Sequence, residues 1–356
     1  MAFIELEIKK LKENYNHLDK LFRKHDIRFS VVSKMLCGNK LYLSELLKLG
    51  VQQVCDSRVS NLKTLKSINP DIETIYIKPP AKRALKSVVQ YADISMNTEI
   101  NTIKLLSEEA QRQNKKHKII IMIELGELRE GIMGEDFMAF YEEVFRLKNI
   151  EVVGIGTNLT CLYGVLPNHD KLIQLSLYEQ LVEARFNRQI PYVSGGSSVT
   201  IPLIYQKLLP AGINHFRVGE TLFMGSNLFK NETFRHMHAD VFKLYSEIIE
   251  LSEKPQVPIG ELGHNVEGTA FEFNEEDKGK RSYRAIIDIG LLDVEQDHIF
   301  PVDKDLSVVG ASSDMFVIDL GNNDKNYKVG DLLEFNMDYM GMLRTINSRY
   351  IDKRVK

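Results

Sequence analysis

Three features of this chain could do carbonyl chemistry on an anionic compound: a lysine closing the segment Arg28 to Lys34 (RFSVVSK), a serine and glycine run at 194–198 (SGGSS), and Arg217-Val218-Gly219-Glu220. A lysine amine attacks carbonyls once its surroundings favour the neutral form. Lys34 follows VVS, and a lysine in a buried strand is costly unless its amine has a partner or a reaction; a strand-end lysine that snorkels to solvent is the plainer reading. Small residues at 194–198 let backbone N–H groups approach an anion, and the helical stretch that begins near Val199 would favour negative charge at its start. An ordinary loop has the same composition. Arg217 would either make a structural ion pair or face a bound ring.

The elements that must position these residues can be read from hydrophobic rhythm. Eight short runs rich in β-branched residues alternate with longer amphipathic stretches: Arg28 to Lys34, Gln52 to Asp56, Thr74 to Lys78, Ala92 to Met96, Lys118 to Ile123, Glu151 to Gly156, Pro191 to Ser194 and Asn214 to Val218. Between them, Asn97 to Gln113 and Asp136 to Leu147 repeat apolar positions at helical steps. Eight such units predict an α/β fold, a closed (β/α)8 TIM barrel. An open doubly wound sheet also alternates, but its usual G-x-G-x-x-G is absent after Lys34, where the chain reads MLCGNK. Past Asn231 the pattern turns to short strands: Ala239 to Ile249, Arg284 to Ile289, Leu306 to Val309, Met315 to Leu320 and Asp331 to Phe335. The expected division is a barrel over 1–230 and a C-terminal β domain over 231–356, with the charged run Asn274 to Arg281 as a solvated loop.

In such a barrel the active site forms at the carboxyl ends of the strands, and phosphate often sits between the loops after strands seven and eight. The SGGSS run and the Arg217 segment fall there. A phosphate cup, an arginine and a strand-end lysine together suggest a pyridoxal 5′-phosphate (PLP) ring between them.

Composition agrees with small-molecule chemistry. The 356 residues are 44% hydrophobic and 27% charged, with a formal net charge of -3, so nothing draws the chain generally to nucleic acid or anionic membranes. The opening MAFIELEIKKLKENYNHL lacks an apolar signal core, which predicts a cytoplasmic protein. Cys37, Cys55 and Cys161 are an odd number without metal-type spacing, so reduced thiols are expected and no metal site.

These residues resemble the alanine racemase family, the fold-type III PLP enzymes built of a barrel and a β domain. The resemblance runs end to end. VVSK at Val31 to Lys34 is similar to the family's PLP-lysine strand, and RVGETLFMG from Arg217 to Gly225 to its R-P-G-x-x-L-Y-G segment. VGASSDMFVIDL, Val309 to Leu320, resembles G-R-x-S-M-D-M-x-x-V-D-L; Asp338-Tyr339 resembles the phosphate-binding tyrosine; ELGELREGI resembles D-T-G-M-x-R-x-G. The resemblance implies Lys34, Ser197, Arg217, Gly219, Glu220 and Tyr339 as cofactor residues, and Arg129 as a group that orients the substrate carboxylate. It implies a homodimer whose sites are completed across the interface.

The departures narrow the reading. The family's second base, a tyrosine in G-Y-x-D-G, is replaced by Leu291 in Ile289 to Asp293; the cofactor-stacking histidine is replaced by Asn158 in GIGTNLTC; the tyrosine that follows the PLP lysine is absent. With TNLTC and SGGSS, this looks most like the divergent amino-acid racemase branch that includes ornithine racemase. A racemase of ornithine or another basic amino acid is therefore expected. Racemisation removes the α-proton from one face and returns one to the other, so two acid/base groups must flank the α-carbon. Lys34 serves one face; for the other, Cys161 is the first candidate, with Tyr163, His264 and Asp293 as alternatives. A small packing thiol is the plainer reading of Cys161, and Asp293 could keep a structural turn or attract a basic side chain. A fold-type III decarboxylase, a PLP carrier without catalysis and a D-threonine aldolase remain rival readings, disfavoured in turn by Arg217, by the β domain and by the absence of a metal-type cluster in the C-terminal third.

Overall fold

The computed structural model describes residues 2–264, 268, 270 and 273–356. All eight predicted barrel runs are strands. Their hydrogen-bonded order is Tyr192–Ser194, Ile150–Gly156, His117–Met122, Ile94–Asn97, Glu73–Tyr76, Gln53–Asp56, Arg28–Val32 and His215–Val218, followed by a ninth piece, Gly196–Ser197. Every neighbouring pair is parallel. The two ends of this order are separated by Gly195 alone, so the sheet comes round on itself as a TIM-like near-barrel.

Period-two alternation decides what fills it. Val32, Cys55, Ile75, Ile94, Met96, Ile120, Met122 and Val153 make one buried apolar cluster. A polar set lies on Arg28–Val32, Gln53–Asp56, Tyr192–Ser194 and His215–Val218. His215 Nε2 meets Ser30 Oγ at 2.8 Å and Gln53 Oε1 at 2.9 Å, while Nδ1 meets Ser194 Oγ at 2.6 Å. Burial, then the nearby Arg217 and Arg28 charges, push the His215 imidazole down to about 3, so it stays neutral. Helices cover the outside. Ile100–Arg112, capped by the Glu99 carboxylate on the Asn101 and Thr102 N–H groups at 2.8 and 2.7 Å, buries Ile103, Leu106 and Ala110 at helical spacing.

The chain divides into Lys9–Ala239 and a second unit of Met1–Ile8 with Asp240–Lys356, which differs from a single cut at 230/231. The opening strand Phe3–Leu6 pairs antiparallel with Phe242–Pro255 and parallel with Asp352–Val355. Burial of Phe3, Ile4 and Leu6 gives a physical reason, at about 1.5–3 kcal/mol for each large apolar side chain removed from water. In this second unit Phe242–Pro255 also pairs with Arg281–Ile287 and Leu332–Met337, and Phe316–Asp319 joins Arg281–Ile287 to Ser307–Ala311. A helix, Tyr339–Asn347, starts where the Asp338 carboxylate accepts the Gly341 N–H at 2.8 Å. Among the described residues no helix is long and apolar enough to cross a membrane.

Candidate active site

Arg28–Val32 ends one residue before Ser33, and Lys34 begins a single 3-10 turn, Lys34–Leu36. Ser33 is anchored: its N–H donates to Cys55 O at 2.9 Å, and its hydroxyl donates to Asp56 Oδ2 at 2.7 Å. Asp56 Oδ1 in turn accepts from Arg58 N–H and Asn61 Nδ2 at 2.9 and 3.1 Å, and burial raises its carboxyl pKa against these bonds. Lys34 itself is exposed. This bears out the plainer reading, a strand-end lysine that reaches solvent, since the strand ends two residues earlier. What singles it out is its place at a strand's carboxyl end.

Arg217 is buried, and its guanidinium is fixed by the neighbouring strand ends. Nη1 donates to Ser194 O at 2.7 Å and to Ser194 Oγ; Nη2 donates to Thr157 O and Asn158 Oδ1, both at 2.7 Å. Burial lowers its pKa, with Cys55, Glu130 and Cys161 acting against that. An arginine keeps its charge regardless.

Asn158 continues the chain of contacts. Its amide donates to Glu130 Oε1, and Glu130 takes the Arg129 guanidinium through Nε and, at 2.6 Å, through Nη2. Burial would lower the Arg129 pKa, but contact with Glu130 raises it, helped by Cys161 and Glu127. Thus Arg217, Asn158 and Arg129 are brought together through Glu130, a residue the sequence reading passed over although it lies in the ELGELREGI segment.

Cys161 is exposed, with its thiol 3.6 Å from Leu159 O. Tyr163 beside it is also exposed. Glu127, likewise not singled out beforehand, accepts the N–H groups of both.

The SGGSS run departs from a simple loop. Gly196–Ser197 is a strand in register with Phe216 and Arg217. Ser197 then caps the turn Ser198–Thr200 reciprocally, its N–H donating to Thr200 Oγ1 at 3.2 Å. Thr221 N–H donates to Ser198 Oγ at 3.2 Å, which ties this turn to the helix Glu220–Met224. Gly219 precedes that helix, and a Cβ there would stand 3.0 Å from Val32 O. The backbone therefore passes close to the end of the lysine strand.

The remaining candidates lie in the other unit and are described there. Tyr339 is half-buried at the start of its helix. Both Asp293 oxygens hold local structure, one accepting from Ser348 Oγ at 2.5 Å and the other from Gly290 N–H at 3.4 Å. Leu291 donates its N–H to Ser312 O, and His264 is exposed in an isolated bridge with Ala270.

A TIM-like near-barrel with a lysine at one strand's end and a fixed arginine at its neighbour's defines a class of α/β-barrel enzyme site. The alanine racemase N-terminal domain model matches residues 6–227. Over 353 residues, 99% of each chain, the sequence is 39% identical to an ornithine racemase of Acetoanaerobium sticklandii. It is 30% identical to a lysine racemase of Thermotoga maritima over 98% of this chain and 96% of the relative. The fold is similar to an alanine racemase of Bartonella henselae with covalently bound pyridoxal phosphate, TM-score 0.75, 17% identity, covering 100% and 99% of the two chains. The chain belongs to the alanine racemase family and is an amino-acid racemase.

Proposed function

We propose that the barrel site carries PLP on Lys34 and inverts the α-carbon of a free basic amino acid, ornithine or lysine, with Lys34 and Cys161 moving the proton on opposite faces. The carrying observation is the hydrogen bonding of Arg217. Of its five N–H donors, four are taken by Ser194, Thr157 and Asn158; Nε–H has no partner among the described residues. That residual donor fits a ring nitrogen that accepts a hydrogen bond. The rest of the donor set fits as well: Lys34 Nζ for the covalent link, with the Ser197 hydroxyl and the backbone at Gly219 and Glu220 for a phosphate. For Tyr339 the support is the resemblance alone.

PLP, when bound, supplies the electron sink that acidifies the α-C–H. Arg217 would offer a ring nitrogen a hydrogen bond without protonating it, which would moderate that sink and favour return of the proton to the α-carbon. Asn158 and Glu130 hold the guanidinium in place, and Arg129 Nη1, left over from the Glu130 contact, is available for the substrate carboxylate. Lys34 takes or gives the proton on one face and Cys161 on the other. Ornithine and lysine are supported as substrates by the two full-length relatives. A homodimer is supported by the family resemblance, and a cytoplasmic location by the odd number of cysteines, three in the whole sequence.

Chiral chromatography of a panel of L- and D-amino acids incubated with the PLP-loaded protein tests the reading. Inversion of ornithine and lysine in both directions is expected. Inversion of alanine alone would overturn the substrate assignment, and release of carbon dioxide without inversion would overturn the reaction.

A further inference from the structure

We infer that Glu127 is a positioning residue, holding the 160–165 loop so that Cys161 meets the α-carbon. This rests on the reading of Cys161 given above. Glu127 is 1% exposed, and its carboxylate collects five backbone N–H groups. Oε1 accepts from Cys161 at 2.7 Å, from Tyr163 at 3.0 Å and from Leu162; Oε2 accepts from Thr160 and Val165, both at 3.0 Å. Hydrogen bonds to an ionised acceptor are about twice as strong as neutral ones. Burial would raise the Glu127 pKa, but the bonds from Leu162, Cys161, Tyr163 and Thr160 hold it down at about 2, so the anchor stays charged wherever the enzyme works.

Backbone geometry on both sides points the same way. Thr160 has φ 62° and Leu128, next to Glu127, has φ 54°. A β-branched threonine in the left-handed region is strained, and such strain persists only where the surroundings over-determine it. Here the Thr160 hydroxyl also donates to Val165 O at 2.9 Å. The loop is fixed by its backbone while the Cys161 and Tyr163 side chains stay exposed. Arg129 lies two residues beyond Glu127, so the thiol and the arginine assigned to the substrate carboxylate share one frame.

Chemistry gives the arrangement a purpose. The family pattern D-T-G-M-x-R-x-G has methionine where this chain has Glu127, and the same chain has Leu291 where the family has its second base. A carboxylate that fixes an alternative acid/base group compensates for that loss.

The test follows α-proton exchange of D- and L-ornithine in deuterated water, since each enantiomer offers its proton to one face. In Glu127→Gln, exchange of the enantiomer facing Lys34 persists, while exchange of the other and net inversion fall about 10²-fold, as expected for misplacing a reacting group by about 1 Å. Cys161→Ala shows the same one-sided loss, and the double variant is no slower than Cys161→Ala alone. Glu127→Asp restores part of the rate; should Glu127→Gln not fold, Glu127→Asp shows the same one-sided loss in smaller measure. In the cofactor-free protein, the amides of 160–163 and 165 exchange with solvent faster in the Glu127 variant while the rest of the barrel keeps its protection. Wild-type inversion by Glu127→Gln, equal loss on both faces, or unchanged protection of those amides would each overturn the proposal. Normal inversion by Cys161→Ala would instead remove the thiol's role, and faster amide exchange would then still register Glu127's hold on the loop.

Discussion

Gly196→Ala should cripple the site through the barrel core. A Cβ built there lies 2.1, 2.1 and 2.4 Å from three carbons of the Phe216 ring. Real contacts need roughly 3.4 Å or more, so ring and backbone must part by more than about 1 Å. Phe216 is fully buried, with the Phe22 ring 5.1 Å away, and has nowhere to retreat. Overpacking of this kind costs about 1–3 kcal/mol, or about 2–12 °C of melting temperature for a domain of this size. Gly196 and Ser197 are also in register with Phe216 and Arg217, so the displacement reaches the proposed cofactor residues. A misplacement near 1 Å costs about 10² in rate. Calorimetry, PLP titration and the inversion rate should all respond, whereas Gly310→Ala, with nothing within 4 Å, should leave all three unchanged. A Gly196→Ala protein that melts lower yet binds PLP and inverts ornithine at the wild-type rate would refute the link between this segment and the site.

Other outcomes follow from the same geometry. Lys34→Ala should fix no cofactor on borohydride reduction; covalent fixation that persists, mapped to another lysine, would reassign the site. Arg217→Lys should lower the urea midpoint, because buried acceptors lose partners at about 1–3 kcal/mol each, and should cut inversion by at least about 10²-fold; an unchanged rate would count against the ring-facing role. His215 is neutral when folded and takes a proton when unfolded below its ordinary 6.5. Its contribution is therefore complete above that pH and is lost as pH falls toward about 3, at about 1.4 kcal/mol per unit. The fall in unfolding free energy between pH 6.5 and 4.5 should be smaller in His215→Gln than in the wild type, and an equal fall would contradict the assignment. Sedimentation of dilute, active protein should show a dimer; an active monomer would contradict the shared-site expectation.

The barrel was legible because each strand carries its own apolar signal and each helix its own period. Pairings distant in sequence were not. Phe3–Leu6 alternates like any edge strand, and nothing local reveals that its partners lie past residue 240. Gly196–Ser197 is too short and too small to show a pattern, and Asp352–Val355 (DKRV) reads as a charged tail. The helix Tyr339–Asn347 went unseen, although Asp338 is a good cap. At the site, Arg217 and Asn158 stood out by motif, and Lys34 by its place at a strand end, where the plainer reading of a lysine reaching solvent matches its exposure. Glu127 and Glu130 lay within a quoted segment, but their partners, 28–38 residues away, become visible only in the fold. A carboxylate beside Arg129 was the one available hint.

The most direct test of the central claim is proton NMR of L-ornithine with the PLP-loaded enzyme in deuterated water, with chiral analysis of the product. The account predicts loss of the α-proton signal together with D-ornithine carrying deuterium at the α-carbon. Exchange with the L configuration retained, or no exchange, would contradict two-face proton transfer at this site.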